Sequence, residues 1–332
     1  MKYIVAFFLC GILYACGNEL DLIEDGKDIP IIYGLLSPVD TAQYFRVEKA
    51  FADEEISAVE LAQDPSQLYY DNLRVALIHE QSGQEIIFDQ VDGADEGYPR
   101  EEGAFASVPN TLYKKLSSEI NLVEGDDYRL EVLRTGIDTP VEANTVLVKT
   151  PMINRPGSMG LFDFIPNGSY TIQWRGNESL SLYDVYLEIK IFERDQSIPG
   201  SSFEERTLRW KAVEGRTVEP KVANVEETIA GIEFYSFLSG ALEKDPKWSR
   251  RFRDIDIVLL GGGKELQSYR SVGLANLGIT SSQDIPVFTN LSEGRGIFSS
   301  VTRTIKEDVS LNGRSLDSLK TNALTRDLGF MN

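Results

Sequence analysis

The chain has 332 residues, and at roughly 150 residues per domain this length predicts two domains. Hydrophobic residues make up 42% of the sequence and charged residues 26%, which is a globular composition and excludes a largely disordered chain. The 52 acidic residues outnumber the 33 basic ones and give a formal net charge of −19. No nucleic acid is therefore expected as a partner, because duplex binding requires Lys and Arg to neutralise phosphates.

The first sixteen residues have the features of a secretory signal that ends in a lipid-attachment site. Lys2 supplies a short positive region, and an uncharged run over residues 3–14 follows it. As a helix this run would cover only about 18 Å, well short of the roughly 30 Å hydrocarbon core, which indicates a signal peptide and not a membrane span. The sequence Leu13-Tyr14-Ala15-Cys16 resembles the lipobox of bacterial lipoproteins, which implies cleavage after Ala15 and lipidation of Cys16. The alternative is a plain secretory signal in which Cys16 is incidental.

A polar, acidic tether is predicted after Cys16. Its early acids, Glu19 and Asp21, resemble the export signals that direct some Gram-negative lipoproteins to the outer face of the outer membrane. A tether without such a signal would leave the protein at the periplasmic face. Two or three acyl chains on Cys16 would hold the protein permanently, since one chain binds only marginally. The predicted segments are a signal peptide over residues 1–15 and the lipidated cysteine with its flexible tether over residues 16–28.

Residues 29–150 are predicted to form an immunoglobulin-like β-sandwich, because short alternating runs are separated there by turn residues. In one such run, Phe45 and Val47 alternate with Arg46 and Glu48, so the two apolar side chains are expected to face the core. Strands are predicted over residues 29–36, 44–50, 73–79, 85–91, 128–135 and 141–148.

A second domain is predicted over residues 151–332, with its boundary at 151–156, where Pro151 and Pro156 follow a strand-like segment. It is expected to be a β-rich α+β domain, so that the whole protein is mostly β. Strands are predicted over residues 169–175, 183–193, 207–213, 255–260 and 298–309. Helices are predicted over residues 227–244, 264–272 and 315–328.

Two segments carry a resemblance to a known family. The first runs from Ile29 to Pro38 and continues through Asp40-Thr41 to Phe45-Arg46-Val47-Glu48-Lys49-Ala50-Phe51. The second is Pro286-Val287-Phe288-Thr289-Asn290, followed by Gly294-Arg295-Gly296-Ile297-Phe298-Ser299-Ser300. They resemble an uncharacterised family of Gram-negative lipoproteins, domain of unknown function 4249. The resemblance implies an N-terminal β-sandwich, a lipid anchor and frequent gene neighbours encoding TonB-dependent outer-membrane receptors, and it implies no catalytic residues.

The sequence offers no clear catalytic or metal-binding constellation. Both cysteines lie in the first sixteen residues and His79 is the one histidine, so every His-based triad would depend on His79, which we interpret as structural. The nucleophile motif G-x-S-x-G is absent. The acidic stretch 92–102 lacks the register of a calcium-binding EF-hand and is interpreted as a solvated hairpin loop, and Gly261-Gly262-Gly263-Lys264 as a strand-to-helix turn. We predict a protein without enzymatic activity, cofactor or bound metal.

A basic, aromatic segment around Trp248 is the candidate partner surface, because Trp and Arg dominate interaction hot spots. Its residues are Lys247, Trp248, Arg250, Arg251 and Arg253. The alternative is a helix C-terminus whose cations complement the helix dipole. Trp174 and Trp210 alternate with apolar residues and are expected in the core. Thr41 and Ser318 lie in Asp-Ser/Thr-aliphatic triplets that resemble acceptors of periplasmic O-glycosylation.

These observations together predict a lipid-anchored outer-membrane protein that faces the cell exterior. It is expected to contact the membrane through the lipid on Cys16. Its expected role is that of a non-enzymatic accessory or ligand-binding subunit beside a TonB-dependent receptor, with a small ligand of unidentified chemistry. Two alternatives remain: a structural or adhesive surface module, and a carbohydrate hydrolase that uses paired carboxylates, since 52 acidic residues allow such pairs by chance.

Overall fold

The computed structural model describes residues 29–50, 56–218, 223–276 and 287–331. Within these ranges the chain is mostly β, with fifteen strands in three sheets and five α-helices. The predicted fold class is confirmed: an N-terminal β-sandwich precedes a strand-rich part with few helices. The predicted signal peptide, Cys16 and the tether lie outside the described residues. No helix in the described ranges is both long enough and apolar enough to cross a bilayer.

The N-terminal sandwich consists of two facing sheets. One sheet contains β1 (Pro30–Leu36), β2 (Ala42–Lys49), β5 (Asp89–Asp92) and β6 (Thr111–Leu116). The other contains β3 (Arg74–His79), β4 (Gln84–Ile87), β7 (Asp127–Leu133) and β8 (Val141–Val146), in the order β4-β3-β7-β8. Two short helices, α1 (Ala58–Ala62) and α2 (Pro65–Leu68), connect β2 to β3. Phe45 and Val47 face the core as predicted, and the Phe45 ring stacks on Phe88 at 4.4 Å.

The C-terminal region has its own core between a sheet and a smaller layer. The small layer is the sheet β13-β10-β9, made of β9 (Ile153–Arg155), β10 (Ser169–Arg175) and β13 (Asn224–Ala230), with α3 (Gly231–Ala241) beside it. The large sheet contains β11 (Leu182–Asp195), β12 (Glu204–Thr217), β14 (Trp248–Gly262) and β15 (Arg295–Val309). Two further helices are α4 (Lys264–Asn276) and α5 (Gly313–Thr321). Trp174 is fully buried in this core, as expected.

Strand β15 joins the two halves of the molecule. The first half of β15 pairs in parallel with β1, and this pairing ends at Leu36 and Ser300. The second half pairs antiparallel with β14, and this pairing begins at Gly262 and Val301. One sheet of eight strands therefore runs through the protein in the order β12-β11-β14-β15-β1-β2-β6-β5. The predicted boundary at 151–156 falls between the two buried cores, but Phe298, from the C-terminal region, belongs to the N-terminal core.

The segments that resemble the lipoprotein family become neighbouring strands, namely β1, β2 and the first half of β15. Close approach of β15 to β1 requires Gly296, because a Cβ at this position would lie 1.9 Å from the carbonyl oxygen of Ile32. The backbone at Gly296 also has a φ of 108°, a conformation that glycine adopts far more readily than other residues. The side chain of Asn290 holds the start of the strand by hydrogen bonds to both the N–H and the carbonyl of Phe298.

Several predicted elements differ from the structure in their bounds. The single strand predicted over 85–91 is divided into β4 and β5, and β6 was not predicted. The helix predicted over 227–244 begins only at Gly231, because residues 224–230 pair with β10 as a strand. The helix predicted over 315–328 ends at Thr321, and a separate 3-10 turn follows at Arg326–Leu328. The strand predicted over 255–260 extends back to Trp248, where it still pairs with β11.

Candidate functional site

A crevice with a volume of about 360 Å³ lies where the two halves of the molecule meet. Its floor is formed by the start of β11, the end of β14 and the middle of β15, and its sides by α4 and the turn between β1 and β2. This volume falls in the range of small-molecule sites, about 300–1,000 Å³. The lining residues are Ser37, Val39, Asp40, Leu182, Tyr183, Asp184, Leu260, Gly261, Gly262, Leu266, Arg270, Val301, Thr302 and Arg303.

The glycines at the end of β14 shape the crevice. A Cβ on Gly262 would lie 2.7 Å from Leu182 and 2.9 Å from Leu266, so glycine is needed for α4 to approach the sheet this closely. The next residue, Gly263, lies between β14 and α4, and its N–H donates to the carbonyl of Ser300 at 2.9 Å. This agrees with our interpretation of the Gly-Gly-Gly-Lys sequence as a strand-to-helix turn. The N–H of Leu266 donates to Ser299 Oγ, which fixes the first turn of the helix.

One side of the crevice carries three charged side chains that pair with one another. Arg270 Nη1 lies 3.4 Å from Asp184 Oδ1, and Arg270 Nη2 lies 3.4 Å from Glu214. The Asp184 carboxylate also accepts a hydrogen bond from the N–H of Gly215. Next to it, burial and a hydrogen bond to Glu227 raise the pKa of the Tyr183 hydroxyl. The charges on this side are satisfied within the protein.

The other side of the crevice carries two charges that remain open. Asp40 lies in the turn after β1, and Arg303 lies on β15 three residues beyond its last pair with β1. Both side chains are exposed. Within the described part of the chain, neither the Asp40 carboxylate nor the Arg303 guanidinium has a hydrogen bond or an ion pair. The crevice thus has an apolar floor and, at its edge, one carboxylate and one guanidinium that have no partner among the described residues.

The predicted partner surface does not form as a whole, because Arg250 is fully buried. Its guanidinium donates to Glu193 at 3.0 Å, to the carbonyl of Glu243 at 3.1 Å and to the carbonyl of Leu328 at 2.6 Å. Arg250 thus holds the C-terminal segment to the sheet, and its assignment to a partner surface is wrong. The alternative of a helix C-terminus is also wrong, since residues 248–253 belong to β14.

The other residues of this segment are largely neutralised by their neighbours. Lys247 lies 3.4 Å from Glu243, and the indole N–H of Trp248 donates to the same glutamate at 2.9 Å. Arg253 pairs with Asp254 at 3.1 Å and also with Glu205. Exposed Arg251 lies over the ring of Phe203, with 4.4 Å between the guanidinium carbon and the ring centre. The segment therefore presents little net positive charge to an anionic partner.

A partly buried ion cluster on the C-terminal sheet was not predicted: Asp254 and Asp256 are buried, whereas Asp308 is exposed. Lys190 Nζ lies 3.2 Å from Asp254, 2.8 Å from Asp256 and 3.4 Å from Asp308. Burial alone would lower the pKa of Lys190, but hydrogen bonds and charge from the aspartates outweigh burial and raise this pKa above its ordinary value. The three carboxylates have the spacing of a metal site, and the lysine ammonium occupies their centre as the counterion. The alternation of Asp254 and Asp256 with Ile255 and Ile257 is the only sequence signal of this cluster.

His79 takes part in a short hydrogen-bonded chain. Its Nδ1 lies 2.8 Å from Ser82 Oγ, and its Nε2 lies 2.8 Å from Asp126 Oδ2. A serine hydrolase needs backbone N–H groups free to stabilise an oxyanion beside the serine. Here the N–H of Gly83 donates to the carbonyl of His79, and the N–H of Gln84 donates to Ser82 Oγ itself. The chain of contacts closes the hairpin between β3 and β4, which supports our structural interpretation of His79.

The remaining residues selected from the sequence are dispersed. Thr41 is exposed in the turn between β1 and β2, whereas Ser318 is half-buried on α5. Trp210 is half-buried and stacks on Phe237 with 5.4 Å between ring centres. The acidic loop after β5 is held by its own contacts, such as that of Asp92 with the N–H of Ala94. Ala15 and Cys16 lie outside the described residues.

Comparisons with known proteins give little beyond this geometry. No family model matches the chain, and no curated protein matches it. Among solved structures, the chain is similar to the C-terminal globular domain of oligosaccharyltransferase from Pyrococcus abyssi, with 11% sequence identity and a TM-score of 0.24. The alignment covers 69% of this chain and 46% of that chain, so this chain spans about half the length of that structure.

Proposed function

We propose that the protein is a lipid-anchored outer-membrane protein that acts as a non-enzymatic binding subunit beside a TonB-dependent receptor. The crevice is the observation that supports the binding role in this proposal. Both segments that resemble the lipoprotein family lead into it: β1 ends at Leu36 and continues into Ser37–Asp40, and the second segment ends at Ser300 and continues into Val301–Arg303. Because both segments continue into residues that line the crevice, their positions support a preformed binding site.

The anchor would place this site near a receptor. The predicted tether of residues 17–28 spans at most about 43 Å even when fully extended, which keeps the protein close to the membrane. An anchor raises the effective concentration of the protein beside a membrane-bound receptor, so weak contacts suffice for association. The net charge of −19 opposes adsorption onto anionic lipid, which favours a protein that hangs from its lipid.

The lipid anchor is tested by Cys16→Ser, with Cys10→Ser as the matched control inside the signal peptide. We expect Cys16→Ser to abolish acyl labelling and membrane partitioning, and Cys10→Ser to preserve both. An acyl label that survives Cys16→Ser would refute the anchor. Protease added to intact cells should digest the protein if it faces the exterior, as Glu19 and Asp21 suggest, and should spare it at the periplasmic face.

The role beside a receptor is tested by extracting the native protein in detergent. We expect a large β-barrel to co-purify with it. A protein that is always isolated alone but adheres to other cells or to matrix would instead be an adhesive module. Turnover of a carbohydrate that is lost on replacing one carboxylate would identify a hydrolase, and both results would contradict the proposal.

A further inference from the structure

We propose that the crevice binds a small zwitterion with an apolar side chain, namely a hydrophobic α-amino acid or a dipeptide of such residues. The ligand carboxylate would pair with Arg303 and the ligand ammonium with Asp40. This inference rests on the proposed function, since it names the ligand class of the same site.

The apolar part of the ligand follows from the floor of the crevice. Leu182, Leu260 and Val301 line it from three adjacent strands, and Leu266 covers it from α4. Adjacent strands lie about 4.8 Å apart, so this floor is two strand spacings wide, which suits a side chain such as that of leucine or phenylalanine. A volume of about 360 Å³ accommodates one or two residues.

The charged groups of the ligand are inferred from the side chains of the crevice whose charges have no partner. Arg270 already pairs with Asp184 and Glu214, so its charge is balanced within the protein. Arg303 and Asp40 both line the crevice, and within the described residues neither the guanidinium nor the carboxylate has an ion pair or hydrogen bond. The planar fork of an arginine matches a carboxylate, and an aspartate is the natural partner of an ammonium group.

Each simpler ligand class leaves one of these charges unsatisfied. A fatty acid would pair with Arg303 but be repelled by Asp40. An amine would pair with Asp40 but be repelled by Arg303. A neutral molecule would satisfy neither charge. A zwitterion satisfies both, because Asp40 and Arg303 line the same crevice.

The test uses calorimetric titration of the full chain purified in detergent. The probes all carry the isobutyl side chain of leucine. Leucine and leucyl-leucine are zwitterions, 4-methylpentanoate lacks the ammonium, 3-methylbutylamine lacks the carboxylate, and leucinol has a hydroxyl in place of the carboxylate. We expect a zwitterion to bind at least about tenfold more tightly than each single-charge probe. Absence of binding by both zwitterions up to about 10 mM would overturn the proposal.

Two variants separate the roles of the charges. Arg303→Gln should weaken leucine binding by about tenfold or more, and Asp40→Asn should weaken it similarly while strengthening 4-methylpentanoate, because the repulsion is removed. Arg251→Gln and Asp317→Asn, both exposed and outside the crevice, are the matched controls and should change nothing. Equal binding of leucine and 4-methylpentanoate, unchanged by Asp40→Asn, would exclude a zwitterion site.

The failure of this inference is distinguishable from the failure of the proposed function. The titration tests ligand binding in the crevice alone. Acyl labelling tests the lipid anchor, and co-purification of a β-barrel tests the partner. A chain that binds leucine but carries no lipid keeps the inference and loses the anchor. A lipidated chain that co-purifies with a receptor but binds neither zwitterion keeps the proposed function and loses the inference.

Discussion

Replacing the buried Arg250 by methionine should destabilise the protein by about 3 kcal/mol. Arg250 forms one ion pair and two charged hydrogen bonds to carbonyl oxygens, those of Glu243 and Leu328. Removing one partner of a buried ion pair costs about 3–5 kcal/mol. We expect the lower end of this range, because methionine refills the aliphatic volume and Glu193 keeps a second partner, Arg206, at 3.0 Å.

The change is measured as the free energy of unfolding in urea, with Arg251→Met as the control. Arg251 is the next residue on β14 but is exposed, so its replacement should alter the free energy of unfolding by no more than about 0.5 kcal/mol. Limited proteolysis should also cut Arg250→Met near residues 326–331, since the guanidinium that holds the carbonyl of Leu328 is lost. A loss below about 1 kcal/mol would refute the assigned role of Arg250.

Two further predictions concern the backbone of β15 and the ion cluster. Gly296→Ala should prevent stable folding or lower the melting temperature sharply, because the added Cβ would collide with the carbonyl of Ile32. The control is Gly273→Ala on α4, where a Cβ meets only open space, and this change should stabilise the protein by about 0.5–1 kcal/mol. A melting temperature of Gly296→Ala equal to the wild type would contradict the close approach of β1 and β15. Because the pKa of Lys190 is raised, its contribution to stability should be complete at neutral pH and decline only as the pH rises above the ordinary lysine pKa of about 10.4. Urea unfolding should therefore show that the wild type loses stability at alkaline pH and that Lys190→Met does not. If Lys190→Met loses as much stability at alkaline pH as the wild type, other groups cause the loss.

Local alternation was sufficient to predict most strands of both halves. The side chains of Phe45 and Val47 alternate with charged ones because one face of β2 is buried, so the pattern in the sequence reports burial directly. Strand β6 escaped prediction because Lys114 and Lys115 stand side by side in it. In the structure Lys114 pairs with Glu96 and Lys115 with Asp89, contacts that no local pattern reveals.

The crevice and the ion cluster could not be predicted because both depend on pairing between distant strands. Lys190 lies on β11, and its partners Asp256 and Asp308 lie on β14 and β15, so their proximity follows from the order of the strands in the sheet. The failure at Arg250 has a related cause. Its neighbours in the sequence are the polar residues Ser249 and Arg251, which do not indicate a buried position. Its burial results from the C-terminal segment, which lies parallel to β14 where Phe330 is bridged to Arg250.

The exchange of partners along β15 explains why a crevice exists at this point. Beyond Ser300 the strand β15 is no longer paired with β1, while on its other edge it gains β14. The chain of β1 turns away at Ser37, and the position that it leaves beside Val301–Arg303 opens into the crevice. The crevice is thus a consequence of how the two halves share one strand, so it exists before any ligand binds. Because a ligand there would contact β11 and α4 as well as the turn after β1, its binding should stabilise both halves together.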